Sequence, residues 1–378
     1  MRPAISGALL VLTIFAALFY LYPTGSAANY AVTYQLLDHM GGSPHYRLNV
    51  AVSESLFQYY VDKDHRLFTE TDFAKFVTSF TLKPISDSLR QIYEEDEEFV
   101  NAVLTLLHQI IYEATGPPKY PVETIVDGKG DCDLFSYVAA SIITAGRLDV
   151  VLFYYETESH MNIGVNLKHD PVAARKNVEY VMHDGRKYYV AECTGEDWQN
   201  GWRVGESPDN LEGAQLQVIN LENSEQSAPG QVSASYKPLY TSTLSLRSSA
   251  GYLIQGSPIT FSGQISPVLQ NVNVTVYVKV NGLPWSELGT AITDSSGQFK
   301  FVWDAAAAGI NSVRASWSGN DEYAGTDSPV QTVTVLSLFF VSLLSITIVL
   351  VCIGSAIFLL SRRSNREPTG WQPPEVPS

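Results

Sequence analysis

Hydrophobic and polar residues alternate with different periods along this chain, and the changes of period mark its elements. From Glu94 to Ile111 an acidic first turn precedes Phe99, Val100, Val103, Leu106, Leu107, Ile110 and Ile111, the spacing of a helix with one buried face. Gly116-Pro117-Pro118 ends it. Leu134, Phe135, Val138, Ala139, Ile142 and Ile143 repeat the helical spacing, with Asp131 as N-cap and Gly146 as C-cap. Elsewhere the period is two. Leu48, Val50 and Val52 alternate with polar residues inside a β-rich stretch from about Asn29 to Phe68. Val150 to Tyr155 is a continuous apolar run, as a buried strand requires. Met161, Ile163, Val165 and Leu167 then alternate with His160, Asn162, Gly164 and Asn166, which places His160 on the polar face. Val178 to Met182 and Lys187 to Thr194 flank Asp184-Gly185 and predict a hairpin. In its second strand Tyr188, Val190 and Glu192 share one face, and Tyr189, Ala191 and Cys193 the other.

The pattern then changes. Residues 223–238 are rich in Ser, Gln, Pro and Gly and read as a linker. From 239 to 335 short strands alternate with turns: Val272, Val274, Val276, Val278 and Val280, the turn Asp294-Ser295-Ser296-Gly297, then Phe299, Phe301 and Trp303. This predicts an all-β sandwich without the cysteine pair of antibody-type domains. Val335 to Leu360 carries no charge and is long enough to cross a membrane; Arg362, Arg363 and Arg366 follow. The positive-inside rule assigns that end to the cytoplasm and the preceding domains to the exterior. Ala4 to Tyr22 is a second apolar run, followed by small residues. Residues 1–28 are therefore a cleaved signal peptide or an uncleaved anchor, making the chain single-pass or two-pass. The divisions expected are 1–28, a β-rich extension at 29–90, an α+β domain at 91–222, the linker, the sandwich, a transmembrane helix at 336–360 and a Pro-rich cytoplasmic tail at 361–378.

A net charge of -15 argues against nucleic acid or an anionic membrane surface as the main partner. Three cysteines, Cys132, Cys193 and Cys352, are too few for a disulfide scaffold, and no zinc spacing occurs. The reading calls for no cofactor. Cys352 lies within the apolar C-terminal run as a packing residue.

The chemistry centres on Cys132. A helix N-terminus carries about half a positive charge and free N–H groups, which favour a thiolate. A thiol nucleophile needs a histidine to take its proton and a carboxylate or amide to orient the ring. His160 at a strand start and Glu192 near the end of a later strand supply both if the two strands are neighbours. Cys193 is the rival: it would silence Cys132 by pairing with it, but alternation turns it to the face opposite Glu192, as a buried free thiol. Tyr120 and Trp198 read as packing residues with a cleft-lining alternative, and Asp131 and Asp133 as helix caps or site-tuning groups.

The blocks Tyr120-Pro121-Val122-Glu123-Thr124 through Gly130-Asp131-Cys132, Ser159-His160-Met161-Asn162-Ile163-Gly164-Val165, Tyr189-Val190-Ala191-Glu192-Cys193-Thr194 and Trp202-Arg203-Val204-Gly205-Glu206 resemble the transglutaminase-like superfamily, in its microbial cysteine-protease-like branch. The resemblance covers roughly Phe99 to Ile219. It implies an α+β papain-like fold with Cys132 as nucleophile, His160 as base and Glu192 as orienting acid. Many relatives carry Asp at the third place, and many carry two acidic residues where this chain has Asp133-Leu134-Phe135. The sandwich resembles bacterial and archaeal Ig-like domains. The function expected is a membrane-anchored extracellular thiol enzyme acting on peptide or side-chain amides through a thioester, hydrolysis favoured over crosslinking, with a protein or peptide substrate at the cell surface. The alternative is a non-catalytic surface protein using both domains for recognition or adhesion.

Overall fold

The structure, a computed structural model, describes residues 29–364. The apolar segment at 1–28 and the tail beyond Ser364 lie outside the described residues. The order begins β1 (Asn29–Leu37), β2 (Pro44–Ser53), α1 (Glu54–Val61), α2 (Ser79–Arg90), α3 (Asp96–Leu107), β3 (Ile111–Tyr112), α4 (Pro121–Asp127), β4 (Lys129–Gly130) and α5 (Cys132–Ala145). It continues with β5 (Asp149–Tyr155), β6 (His160–Asn166), β7 (Tyr180–His183), β8 (Arg186–Ala191), β9 (Gln217–Ile219) and β10 (Ser233–Ser235).

The β-rich stretch expected to reach Phe68 stops at Ser53, whose hydroxyl accepts the Leu56 N–H and starts α1. The change of period explains this: Leu56 and Tyr60 recur four apart and are both buried. The helix expected at Glu94–Ile111 runs from Asp96 to Leu107, with Phe99, Val100, Val103, Leu104, Leu106 and Leu107 buried. The Cys132 helix ends as expected at Gly146, although that residue has φ of -76° and needs no left-handed backbone. It is small for packing: a Cβ there would lie 2.5 Å from the Phe99 ring.

Five antiparallel strands form the central sheet in the order β7-β8-β6-β5-β9. On one face Leu152, Met161, Ile163, Val165, Tyr189 and Ala191 join the large core, together with α5 residues Leu134, Phe135, Val138 and Ile142. On the other face Val151, Phe153, Tyr155, Tyr188, Val190 and Leu211 form a second core. Strand β5 is apolar without a break because both of its faces are covered. The β7–β8 turn has Asp184 at φ 47° and Gly185 at φ 75°, the paired left-handed residues of a two-residue hairpin.

Gly164 in β6 lets Phe153 lie across the sheet, since a Cβ there would sit 2.3 Å from Phe153 Cζ. Gly164→Ala is expected to destabilise the fold by about 1–3 kcal/mol through overpacking. Chemical denaturation checks this, and a Phe153→Leu background should recover part of the loss.

Segment 223–238, expected as a linker, is pinned to both neighbours. Strand β10 pairs with β2 through Ser233, Ala234 and Ser235. Glu225 N donates to Val77 O and Val232 N to Thr81 O. Gln231 N donates to Ser318 Oγ and Gly325 N to Ser233 Oγ, which ties the segment to the sandwich. Asn29 Nδ2 to Gly325 O (2.9 Å) and Ser55 N to Asp327 Oδ2 (2.7 Å) extend this seam.

The sandwich has the alternation read from its sequence. Val274, Val276 and Val278 of the strand Asn273–Val280 pack with Phe261, Phe299 and Trp317 in a separate core. Its last strand, Gln331–Leu336, is followed after Ser337 by α6 (Leu338–Ser364). Leu338–Phe358 of α6 is 21 residues long, apolar and unburied, which fits a membrane anchor.

Candidate active site

Helix α5 begins at Cys132, with Asp131 in the extended N-cap conformation. The Asp131 side chain does not cap the helix. Its Oδ2 accepts hydrogen bonds from Thr115 N (2.8 Å) and Thr115 Oγ1 (3.1 Å), which fixes the chain leading into the helix. Gly130 and Tyr112 pair across the short β3–β4 ladder, so the same approach also carries an aromatic residue. Cys132 is half-buried, and its Sγ lies 3.9 Å from Ser159 O. Ser136 Oγ, one turn on, donates to Cys132 O or Met161 O and joins the helix start to β6.

His160 opens β6 next to Ser159, which has φ of 49°. Strands β6 and β8 are neighbours, with Ile163 opposite Ala191 and Gly164 opposite Val190. Continuing this register sets Asn162 opposite Glu192 and His160 diagonal to it, within reach of a long side chain. His160 Nε2 and Glu192 Oε2 are 2.9 Å apart, and Asn162 Nδ2 donates to the same oxygen at 3.1 Å. Thr194 N (2.8 Å) and Thr194 Oγ1 (2.6 Å) donate to Oε1. The Glu192 side chain is fully buried, yet both of its oxygens are satisfied. Of the three residues read from the sequence, His160 and Glu192 are hydrogen-bonded through Nε2, and Cys132 lies against Ser159, the residue before His160.

The electrostatics follow this geometry. Burial disfavours an imidazolium at His160, but hydrogen bonds with Cys132 and Glu192 and their charges outweigh it and raise its pKa to about 10. Burial alone would raise Glu192; His160 and Thr194 hold it below the usual carboxylate range. Cys193 is a buried free thiol on the core face, pushed well up by burial, with Sγ 3.5 Å from Ala191 O. Tyr120 packs against Tyr60 and Phe76 in the core, and Trp198 lies half-buried in the loop after Glu192.

Three partners escaped sequence reasoning. Asn162 and Thr194 anchor Glu192; each is two residues from His160 or Glu192 on a strand or its extension, which is the available signal. Tyr112 sits with its ring 6.2 Å from that of Phe135 at the helix start. Burial and then the charges of Cys132, Asp131, Asp133 and Glu192 raise its pKa. No local pattern points to it, because β3 is two residues long.

Asp133 adds a pH-sensitive element. Burial and then its hydrogen bond with Asp131 push it up to about 7. Burial opposes ionisation of Asp131 as well, but hydrogen bonds from Asp133 and Thr115 bring it below the ordinary range. An Asp whose folded pKa is raised makes the native state hold an extra proton between about pH 4 and pH 7. Stability therefore falls as pH rises across that window and stays lower above it. Asp133→Asn keeps a donor for Asp131 at every pH. Its melting temperature is expected to exceed that of the unsubstituted protein at pH 8, with the gap closing toward pH 4, in thermal melts across that range.

Among the described residues no three of His, Cys, Asp and Glu converge to hold a metal ion. Residues 245–336 match the bacterial Ig-like domain family, group 3. No curated protein matches the chain. Among solved structures, the CARDB domain of a Pyrococcus furiosus protein, in complex with di-metal ions, is similar at 13% identity over 25% of this chain and 93% of that one. The TM-score is 0.19, and this likeness carries no argument here.

Proposed function

We propose that residues 91–222 form a transglutaminase-like thiol enzyme of papain-like α+β architecture, held outside the cell by α6. The sandwich acts as a spacer between the enzyme and the membrane. The observation that carries this reading is the His160–Glu192 hydrogen bond beside Cys132, whose sulfur lies against Ser159, the residue before His160, at the start of a buried helix.

In the proposed reaction Cys132 Sγ attacks an amide carbonyl carbon while its proton resides on His160 Nδ1. The S–C bond forms, and the carbonyl oxygen becomes an oxyanion facing the free N–H groups of the first turn of α5. His160 passes its proton to the amine, the C–N bond breaks, and a thioester remains on Cys132. Water then attacks the thioester with His160 as base, releasing a carboxylic acid and restoring the thiol. An amine in place of water would complete a crosslink. Glu192 holds the ring so that Nδ1 faces the sulfur. Hydrolysis is the favoured outcome, with peptides or proteins at the cell surface as substrates.

The test uses the full chain in detergent micelles, incubated with a glutamine-containing protein and a labelled primary amine. New N-termini or free acid groups support hydrolysis, and label incorporation supports transfer. If neither occurs and Cys132 reacts with a small alkylating agent at pH 6 no faster than free cysteine does, the enzyme reading is lost.

A further inference from the structure

Resting on the acyl-transfer reading, we propose that the site selects an acyl donor bearing a large apolar or aromatic side chain, seated on a ledge formed by Tyr154, Phe73, Phe68 and Leu67.

Leu67, Phe73, Cys132 and Tyr154 are each partly buried against the same large core. Tyr154 lies on β5 opposite Met161 of β6, whose carbonyl oxygen accepts from Ser136 in the first turns of α5. The charge on Cys132 is among those acting on the Tyr154 hydroxyl, after burial and the Glu156 and Glu70 carboxylates. The Phe73 ring covers Tyr154, with centroids 5.3 Å apart. Beyond Phe73 the surface opens into a depression of about 500 Å³ lined by Leu67, Phe68, Thr69, Glu70 and Phe73. Phe68 is 73% exposed there, with the Arg66 guanidinium over its ring at 5.3 Å. An exposed aromatic residue continuous with a reactive centre marks a binding surface more often than an isolated one does.

The strand geometry assigns this ledge to the acyl side. Tyr155, the next residue, points to the opposite face of the sheet, into the second core, with its ring centroid 6.2 Å from that of His160. The leaving amine must face His160 to receive its proton. The part of the substrate that stays on sulfur therefore lies toward Tyr154 and Phe73.

The test measures alkylation of Cys132 in the full chain. The probes are acetyl-tripeptide chloromethyl ketones with phenylalanine at each of the three positions in turn, an all-alanine control, and chloroacetamide. At least one phenylalanine reagent is expected to label Cys132 about tenfold faster than the control. Phe73→Ala and Phe68→Ala should each cut that ratio to about threefold or less. Phe68 is exposed, so its loss leaves the core intact. Dividing each rate by that for chloroacetamide removes any change in thiol reactivity or folding. Phenylalanine reagents within about twofold of the control, with rapid chloroacetamide labelling, would overturn the ledge and leave the enzyme reading standing. A preference that survives both substitutions would also overturn it. Failure of chloroacetamide to label Cys132 faster than free cysteine would remove the enzyme reading, and this proposal with it.

Discussion

Replacing Cys132 with alanine is expected to abolish amide turnover, with kcat falling by at least about 10⁴-fold. The same change should remove rapid alkylation at pH 6. In the proposed reaction the Cys132 sulfur carries the thioester, and neither other cysteine is placed to replace it. Cys193 is buried on the core face with its thiol pushed well up, and Cys352 lies in the apolar helix α6. Cys132 is half-buried at the first helical position, so the alanine variant should keep its melting temperature within a few degrees. Turnover by that variant equal to the unsubstituted protein would place the chemistry elsewhere, and mass spectrometry of the trapped acyl-enzyme would show where.

The second large effect is expected from Glu192→Gln. The carboxylate accepts the His160 Nε2 proton and so leaves Nδ1 to deal with the thiol. A glutamine can instead donate from its amide to Nε2, which drives the ring proton onto Nδ1, where it faces Cys132. A ring in that tautomer cannot accept the thiol proton, and a loss of order 10⁴-fold in kcat is expected, with a smaller change in KM. The His160 pKa of about 10 should fall, because hydrogen bonding and charge from Glu192 help to raise it. A His whose folded pKa is raised above its ordinary value of about 6.5 stabilises the fold fully below that pH. That contribution is lost as pH rises through about 10, so Glu192→Gln should cost most stability near neutral and lower pH. Titration of His160 by NMR checks the shift, and an unchanged pKa would show that the carboxylate does not govern the ring. Glu192→Ala should destabilise further, by about 3–5 kcal/mol, because it leaves the imidazolium without its partner.

Periodicity determined much of this protein by itself. The apolar run after Cys132, with Asp131 before it as N-cap and Gly146 after it as C-cap, placed that residue at a helix start. The period of two in β6 and β8 placed His160 and Glu192 on the face opposite Met161, Ile163 and Ala191, because successive side chains of a strand point to opposite faces. The uncharged run before Arg362 likewise marked α6, and alternating valines marked the sandwich. Local pattern could not decide what depends on register between distant segments. The β6–β8 pairing sets Asn162 and Thr194 around the buried carboxylate, and hydrogen bonds over 30 residues of sequence carry no period. Segment 223–238 looks like a solvated connection because its partners are backbone groups of β2 and the loops around it, invisible in side-chain composition. Tyr112 reaches the start of α5 only when β3 pairs with β4, and Phe73 meets Tyr154 only when the 3₁₀ turn Glu70–Phe76 folds onto β5. Sequence therefore supplied the proposed nucleophile, base and acid as residue types on faces. Tertiary packing decided the distances between them and the surface a substrate would meet.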